Sequence, residues 1–71
     1  MNDFTVLLRE RDSFGETTHS VIVTAASRVS AEKAAKRAPG MHHSMSVIGV
    51  HVGAFLGTGY GSFVDAREEH P

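Results

Sequence analysis

Histidines are the residues in this 71-residue sequence most able to do chemistry, and there are five of them. A zinc or nickel site needs three or four ligands that converge on the ion. Adjacent residues on an extended backbone point to opposite sides, which hinders joint ligation by His42 and His43. The sequence therefore predicts solvated or sheet-surface histidines, with no metal and no cofactor. The candidate ligands would otherwise be His42, His43, His51 and Asp65, with His19 and His70 elsewhere.

Serine, histidine and aspartate are present, but the motifs that place them in an active site are not. Gly59-Tyr60-Gly61-Ser62 lacks the second glycine of a nucleophile elbow. No Gly-Lys-Ser/Thr follows the glycines between 57 and 61, as a phosphate-binding loop requires. Paired carboxylates occur only as Glu68-Glu69. A nucleophile also needs a base, an orienting group and a cavity that excludes water. The sequence therefore predicts that the protein is not an enzyme.

Length and composition limit the class of protein further. A chain of 71 residues predicts a single small domain, with little room for a deep pocket. Seven Lys and Arg against eight Asp and Glu give a net charge of -1, without the positive excess typical of nucleic-acid binders. The lack of cysteine fits a reducing cytosol. We find neither a membrane-length apolar run nor a basic signal-peptide start, so we expect a cytoplasmic protein.

The first 25 residues predict a β-hairpin. Residues 4–9 alternate in a strand pattern, and residues 18–25 are rich in the β-branched side chains that suit a second strand. The polar stretch 10–17 between them is the expected turn, where Gly15 can adopt a positive φ.

A short helix follows the hairpin. Ser27 is the expected N-cap, with Ser30 as the competing cap. The helix should run to about Ala38, because Pro39-Gly40 cannot continue it. Its apolar face consists of small residues that allow close approach to a sheet, namely Ala31, Ala34, Ala35 and Ala38.

The remaining sequence predicts one further strand over residues 45–52 and a short fourth strand near residues 62–66, after a glycine-rich stretch. The expected fold is α+β: a small ββαβ(β) domain over residues 1–66, with a mainly antiparallel sheet and one helix packed on one face. Residues 67–71 are expected to form a solvated tail. The third strand could lie parallel to the second or beside the first.

One helix can cover only one face of the sheet, and this leaves apolar side chains on the other. Leu7, Ile22 and Val47 are too apolar for a fully wet face. Three alternatives follow: residues 54–64 fold back over them, a second copy covers them, or a different protein does. The face toward the helix should hold Phe4, Val6, Leu8, Val21, Val23, Ile48, Val50 and Val52. The other face should hold Thr5, Leu7, Arg9, Ser20, Ile22, Thr24, Val47 and His51.

Charge and exposure suggest where a partner protein would bind. The helix carries four cations against Glu32, a pattern that can steer the chain onto an acidic surface, although a solvated helix face is the ordinary explanation. Phe14, in a polar turn, is a candidate interface anchor. The predicted partner-binding residues are Phe14, Arg28, Lys33, Lys36, Arg37, Leu7, Ile22 and Tyr60.

The stretch Val23-Thr24-Ala25-Ala26-Ser27, followed by Ala31 and Ala35, resembles a pattern in very small phage proteins. The RNA polymerase inhibitor of T7-like phages and some small anti-CRISPR proteins are similar in plan, and the resemblance covers residues 4–52. Ser30 stands where the pattern carries glutamate. The resemblance implies a non-enzymatic phage protein in the bacterial cytoplasm that inhibits a host complex, a CRISPR effector first and RNA polymerase as the alternative.

Two other classes of function remain open from the sequence. The stretch Gly59-Tyr60-Gly61-Ser62-Phe63-Val64 is similar to the aromatic strand of RNA-recognition domains, but its spacing differs by one residue. A nucleic-acid module would use Tyr60, Phe63 and the basic helix, against the near-neutral net charge. A homodimeric structural protein would pair its open face or a strand edge with itself.

Overall fold

Two long strands, β1 (Asn2–Asp12) and β2 (Gly15–Ala25), form an antiparallel hairpin in the computed structural model, which describes residues 1–55 and 62–67. Only Ser13 and Phe14 lie between them, and Gly15 has a φ of 130°. The turn is therefore much shorter than the predicted 10–17. Polar residues 9–12 and 15–17 instead extend the strand ladder beyond the core as a two-stranded ribbon.

The helix α1 (Arg28–Lys36) begins as predicted at Ser27, whose side-chain oxygen accepts a hydrogen bond from the Ser30 backbone N–H at 3.2 Å. It ends at Lys36, before the predicted Ala38. The Ala38 N–H still donates to the Ala35 carbonyl, so a further hydrogen-bonded turn follows α1 before the loop to β3 begins. No helix within residues 1–55 and 62–67 has both the length and the apolarity to span a membrane.

The sheet is completed by β3 (Ser46–Val52) and β4 (Ser62–Asp65) in the order β3-β1-β2-β4. β3 pairs antiparallel with β1, and β4 pairs parallel with β2. An α+β fold with one helix and a mostly antiparallel four-stranded sheet is thus confirmed. The sequence left two positions open for the third strand, and β3 takes the one beside β1. The connection from β2 through α1 to β3 therefore passes over the hairpin.

The core lies between α1 and the sheet, but β3 enters it differently from the prediction. Leu7 pairs with Gly49 and Leu8 pairs with Val47, so Ile48 is an extra residue at a bulge. The bulge turns Val47 into the core and leaves Ile48 40% exposed. The predicted positions of both residues are wrong because strict alternation ends there. Val52, also predicted in the core, is 67% exposed.

The face of the sheet away from α1 is closed within the single chain. Leu7, Ile22 and Ser20 are buried on it. The chain leaving β3 turns across Thr5, whose hydroxyl donates to the Gly53 carbonyl at 2.7 Å and accepts from the Phe55 N–H at 2.9 Å. These contacts support the alternative in which the chain folds back. The predicted path of the glycine-rich segment falls partly on residues 56–61, outside the described residues.

Candidate functional site

Phe14 lies at the tip of the ribbon and is 97% exposed. The turn that carries it is ordered locally, because the Phe14 backbone N–H donates to the Asp12 carboxylate at 2.8 Å. An aspartate that accepts a hydrogen bond from the residue two positions ahead stabilises a tight turn. The ring is therefore presented to solvent on a defined backbone, as expected for a contact residue.

The sides of the ribbon are joined by ion pairs. The Arg11 guanidinium lies 2.7 Å from the Glu16 carboxylate, and Arg9 lies 3.4 Å from the same oxygen. Hydrogen bonding from Arg11, together with the charge of Arg9, holds the pKa of Glu16 below its ordinary value. Each exposed pair contributes little to stability, but together they connect the two strands next to the tip.

Glu10 joins the base of the ribbon to the loop before β3. One carboxylate oxygen lies 3.1 Å from His42 Nε2 and the other 3.3 Å from His19 Nε2. His19 Nδ1 is buried and has no hydrogen-bond partner in the described part of the chain. No local sequence pattern pairs Glu10 with His42, because the two residues are 32 positions apart. We call Glu10, His19 and His42 the histidine clamp.

Ser44 extends the histidine clamp into a serine–histidine–glutamate series. Its hydroxyl lies 2.6 Å from His42 Nδ1, and a neutral ring that donates from Nε2 to Glu10 accepts at Nδ1. The series opens onto a groove of about 460 Å³ next to Met45 and Ser46. His42 and Ser44 are exposed. The series connects the loop before β3 to the base of the ribbon.

The histidines weighed in the sequence as candidate metal ligands are not brought together among the described residues. His42 turns to Glu10, and His51 meets the ring of Phe55 edge-on at 6.3 Å between centroids. Across residues 1–55 and 62–67 no three or more histidine, aspartate or glutamate side chains are placed to hold a metal ion.

Replacing Glu10 with glutamine should lower stability at neutral pH and flatten its dependence on acid. Hydrogen bonds from His42 and then His19 hold the pKa of Glu10 below its ordinary value of 4.5. A carboxyl whose pKa is depressed by folding contributes stability above its unfolded pKa. That contribution is lost as the pH falls from about 4.5 through the folded-state value. Urea unfolding of the wild type and the Glu10→Gln variant across this interval measures the difference.

Glu32→Gln is the matched control, since Glu32 lies on α1 and makes no ion pair with any described residue. The free energy of unfolding of the Glu32→Gln variant should change with pH in the same way as that of the wild type. Identical acid dependence in the wild type and the Glu10→Gln variant would show that the histidine clamp adds no stability.

The cations of α1 differ from the other arginines in their partners. Arg9, Arg11 and Arg67 each bind a carboxylate. Within the described residues none of the four helix-region cations does so, and only one has a polar contact, from the Arg28 guanidinium to the Val50 carbonyl at 3.3 Å. Their charge is available to an external anionic group. The set comprises Arg28, Lys33, Lys36 and Arg37, of which only Lys36 is half-buried.

The other predicted contact residues do not join this surface. Leu7 and Ile22 are buried, which corrects their assignment as partner contacts. Tyr60 lies outside the described residues. Phe63 is 44% exposed but pairs with Ser20, on the face away from α1. A nucleic-acid site that combines Phe63 with the basic helix is therefore not assembled.

Arg67, predicted in the solvated tail, is instead fastened to the sheet. Its guanidinium lies 2.7 Å from the Asp65 carboxylate and 3.0 Å from that of Asp3. Hydrogen bonding from Arg67 lowers the pKa of Asp65, whereas Thr24 first and then Arg67 lower that of Asp3. Arg67 thus connects the end of β4 to the start of β1. Residues 68–71 of the predicted tail lie outside the described residues.

Comparison with known proteins assigns this chain to no family: no family model, curated protein or solved structure matches it. Three features of the molecule bear on its function. These are the exposed tip of the ribbon, the helix-region cations that pair with no carboxylate among the described residues, and the histidine clamp at the ribbon's base.

Proposed function

We propose that the chain is a non-catalytic protein-binding module that inserts the tip of its ribbon into a partner protein. The observation that carries this proposal is the 97% exposure of Phe14 at the end of a two-residue turn. Large aromatic side chains supply most of the binding energy when they fill a pocket on a partner. A ring left in water at a projecting tip is suited to that role.

The surroundings of Phe14 support binding with little loss of conformational freedom. The Asp12 carboxylate holds the turn, the Arg11–Glu16 pair connects the strands, and Glu10 connects the ribbon to His42. Binding costs less free energy when the contact residue is already held in its bound position. The ribbon therefore presents Phe14 as a prearranged anchor.

The helix cations support a partner with an acidic surface. Charges outside the contact raise the rate of encounter more than the final affinity. With no internal carboxylate partner among the described residues, Lys33, Lys36 and Arg37 can act in this way.

The resemblance of residues 4–52 to small phage inhibitors supports a bacterial protein complex as the partner. The first proposal is a CRISPR effector complex inside a bacterial cell, with the chain acting as an anti-CRISPR protein. Bacterial RNA polymerase is the alternative partner. In both cases the chain would inhibit by occupying a surface on the partner.

Phe14→Ala should weaken binding to that partner by about 30-fold or more, since a central aromatic anchor contributes about 2 kcal/mol or more. The assay measures target-DNA cleavage by purified CRISPR effector complexes, and promoter transcription by bacterial RNA polymerase, as the chain is titrated. Thermal unfolding of the variant should match the wild type within about 0.5 kcal/mol, because the ring makes no buried contact.

Val29→Ala is the matched control, because it shortens another exposed apolar side chain, on α1 (61% exposed). It should inhibit as the wild type does. If neither machine is bound or inhibited, the proposed partners are wrong. If Phe14→Ala inhibits as strongly as the wild type, the ribbon tip is not the contact.

A further inference from the structure

β1 is longer than the strand that pairs with its outer edge, and this leaves part of that edge free. β1 runs to Asp12, whereas β3 pairs with it only as far as Arg9, which lies opposite Ser46. The chain before β3 does not continue along the edge, because Met45 packs into the core and is only 3% exposed. Beyond Arg9, the outer edge of β1 therefore has no strand beside it in the described ranges.

The register shows that the backbone of Arg11 faces this free edge. The Gly53 N–H donates to the Asp3 carbonyl at 2.8 Å, so Asp3 turns its backbone toward β3. Backbone direction alternates along an antiparallel strand, and the bulge lies in β3 rather than in β1. Arg11 therefore turns its N–H and C=O to the same side as Asp3. No group in the described part of the chain bonds to either of them.

The groove beside Ser44 borders the free edge, since Arg9 and Arg11 also line it. Its volume of about 460 Å³ lies in the range of protein sites that enclose a small ligand. A free backbone N–H and C=O next to open space are the groups that an extended segment of another protein uses when it joins a sheet. The free edge and the groove together leave room for such a segment.

The charges beside the free edge favour an acidic segment. The guanidinium groups of Arg9 and Arg11 share one carboxylate oxygen of Glu16, so two positive charges face one negative charge. The Arg11 side chain is 78% exposed and remains accessible to a second carboxylate. Opposite charges on directly opposed strand residues attract each other, whereas like charges repel. An aspartate or glutamate opposite Arg11 would therefore complement this edge.

We infer that an extended acidic segment of the partner protein adds to β1 at Arg11, antiparallel to β1 and in line with β3. The segment's backbone accepts from the Arg11 N–H and donates to the Arg11 carbonyl, and its carboxylate lies opposite the Arg11 guanidinium. This inference rests on the proposed function and extends it. It names the chemistry that the partner presents next to the pocket for Phe14.

A second copy of this chain fits the same edge less well. Antiparallel pairing of two copies around Arg11 would place two guanidinium groups opposite each other, which is destabilising. Charged side chains on an edge also discourage pairing with apolar strands. The free part of the edge carries Glu10, Arg11 and Asp12, so it selects a partner by charge.

NMR titration of the isotope-labelled chain with a capped peptide of sequence Thr-Val-Glu-Val-Thr tests the inference. The peptide should bind with a dissociation constant of about 1 mM, because so short a pairing is a small interface. Binding should shift the Arg11 amide signal and slow its hydrogen exchange. Two control peptides should bind about fivefold more weakly or worse. One has lysine in place of glutamate, and the other carries a methyl group on the glutamate backbone nitrogen.

Two variants of Arg11 separate the backbone contact from the charge. Arg11→Ala loses the guanidinium but keeps the N–H, so it should bind the peptide about threefold more weakly than the wild type. Arg11→Pro loses both and should bind about fivefold more weakly than Arg11→Ala. The lost N–H faces away from β2, so the hairpin should still form, and thermal unfolding checks this. The methylated peptide tests the same backbone contact on the unaltered chain.

The peptide contains no pocket for an aromatic ring, so Phe14→Ala should bind it as the wild type does. Inhibition of the partner by Phe14→Ala at full strength, with peptide binding intact, would refute the ribbon tip as the anchor and leave this inference standing. An Arg11 amide signal that does not move at millimolar peptide would overturn this inference and leave the role of Phe14 intact. Equal binding of either control peptide, or equal binding by Arg11→Ala and Arg11→Pro, would also overturn it.

Discussion

Replacing Ile22 with alanine is expected to lower the free energy of unfolding by about 2–5 kcal/mol, the range for truncating a large buried aliphatic side chain. Ile22 pairs with Thr5 on the face away from α1, yet its side chain is fully buried. Alanine at this position would remove apolar contacts and leave a cavity that the sheet cannot close. Equilibrium unfolding in urea, with the slope compared between variants, measures the loss.

The control for Ile22→Ala is Val29→Ala, which removes an exposed aliphatic side chain and should change stability by less than about 0.5 kcal/mol. A cost for Ile22→Ala as small as that of the control would mean that this face of the sheet is open in solution. Leu7 and Ile22 would then be accessible to a partner protein, as the sequence predicted.

The second large effect is expected for Thr5→Val, at about 1–3 kcal/mol. Valine has nearly the same shape as threonine, so packing is kept and only the hydroxyl is lost. That hydroxyl donates to the Gly53 carbonyl and accepts from the Phe55 N–H, at 2.7 and 2.9 Å. Both backbone groups would lose their partner, and the turn after β3 would no longer be fixed. Urea unfolding should report the loss, and amide exchange at Phe55 should become faster.

Thr24→Val is the matched control for Thr5→Val, because it removes a threonine hydroxyl from the same face at an exposed position. The Thr24 hydroxyl donates to the Asp3 carboxylate at 2.9 Å, and water can replace that bond. Its cost should stay below about 1 kcal/mol. Equal costs for the two variants would show that Thr5 does not hold the turn.

Local signals in the sequence predicted the individual elements well. Ser27 caps α1 because a serine hydroxyl can accept from the first turn, and Gly15 takes the positive φ expected of it. Ala31 and Ala35 are buried, as their helical spacing indicates. Each of these features depends on neighbouring residues only, which is why sequence patterns report them.

Features that depend on distant residues could not be predicted in the same way. The connection through α1 can reach either side of a hairpin, so the sequence does not decide whether β3 lies beside β1 or beside β2. The bulge was hidden because Val47 and Ile48 are both apolar, and alternation alone cannot tell which one turns inward. Phe14 was found as an apolar residue in a polar turn, whereas the contact of Glu10 with His42 had no local signal.

The sheet order also has a consequence for how the chain folds. The hairpin can close through contacts between neighbours in sequence, whereas the pairing of β2 with β4 joins residues as far apart in the chain as His19 and Ser62. Closing a long loop costs entropy before its contacts form, and such pairings slow folding. We therefore expect the central hairpin to act as a template, with the two flanking strands added to it in later and slower steps.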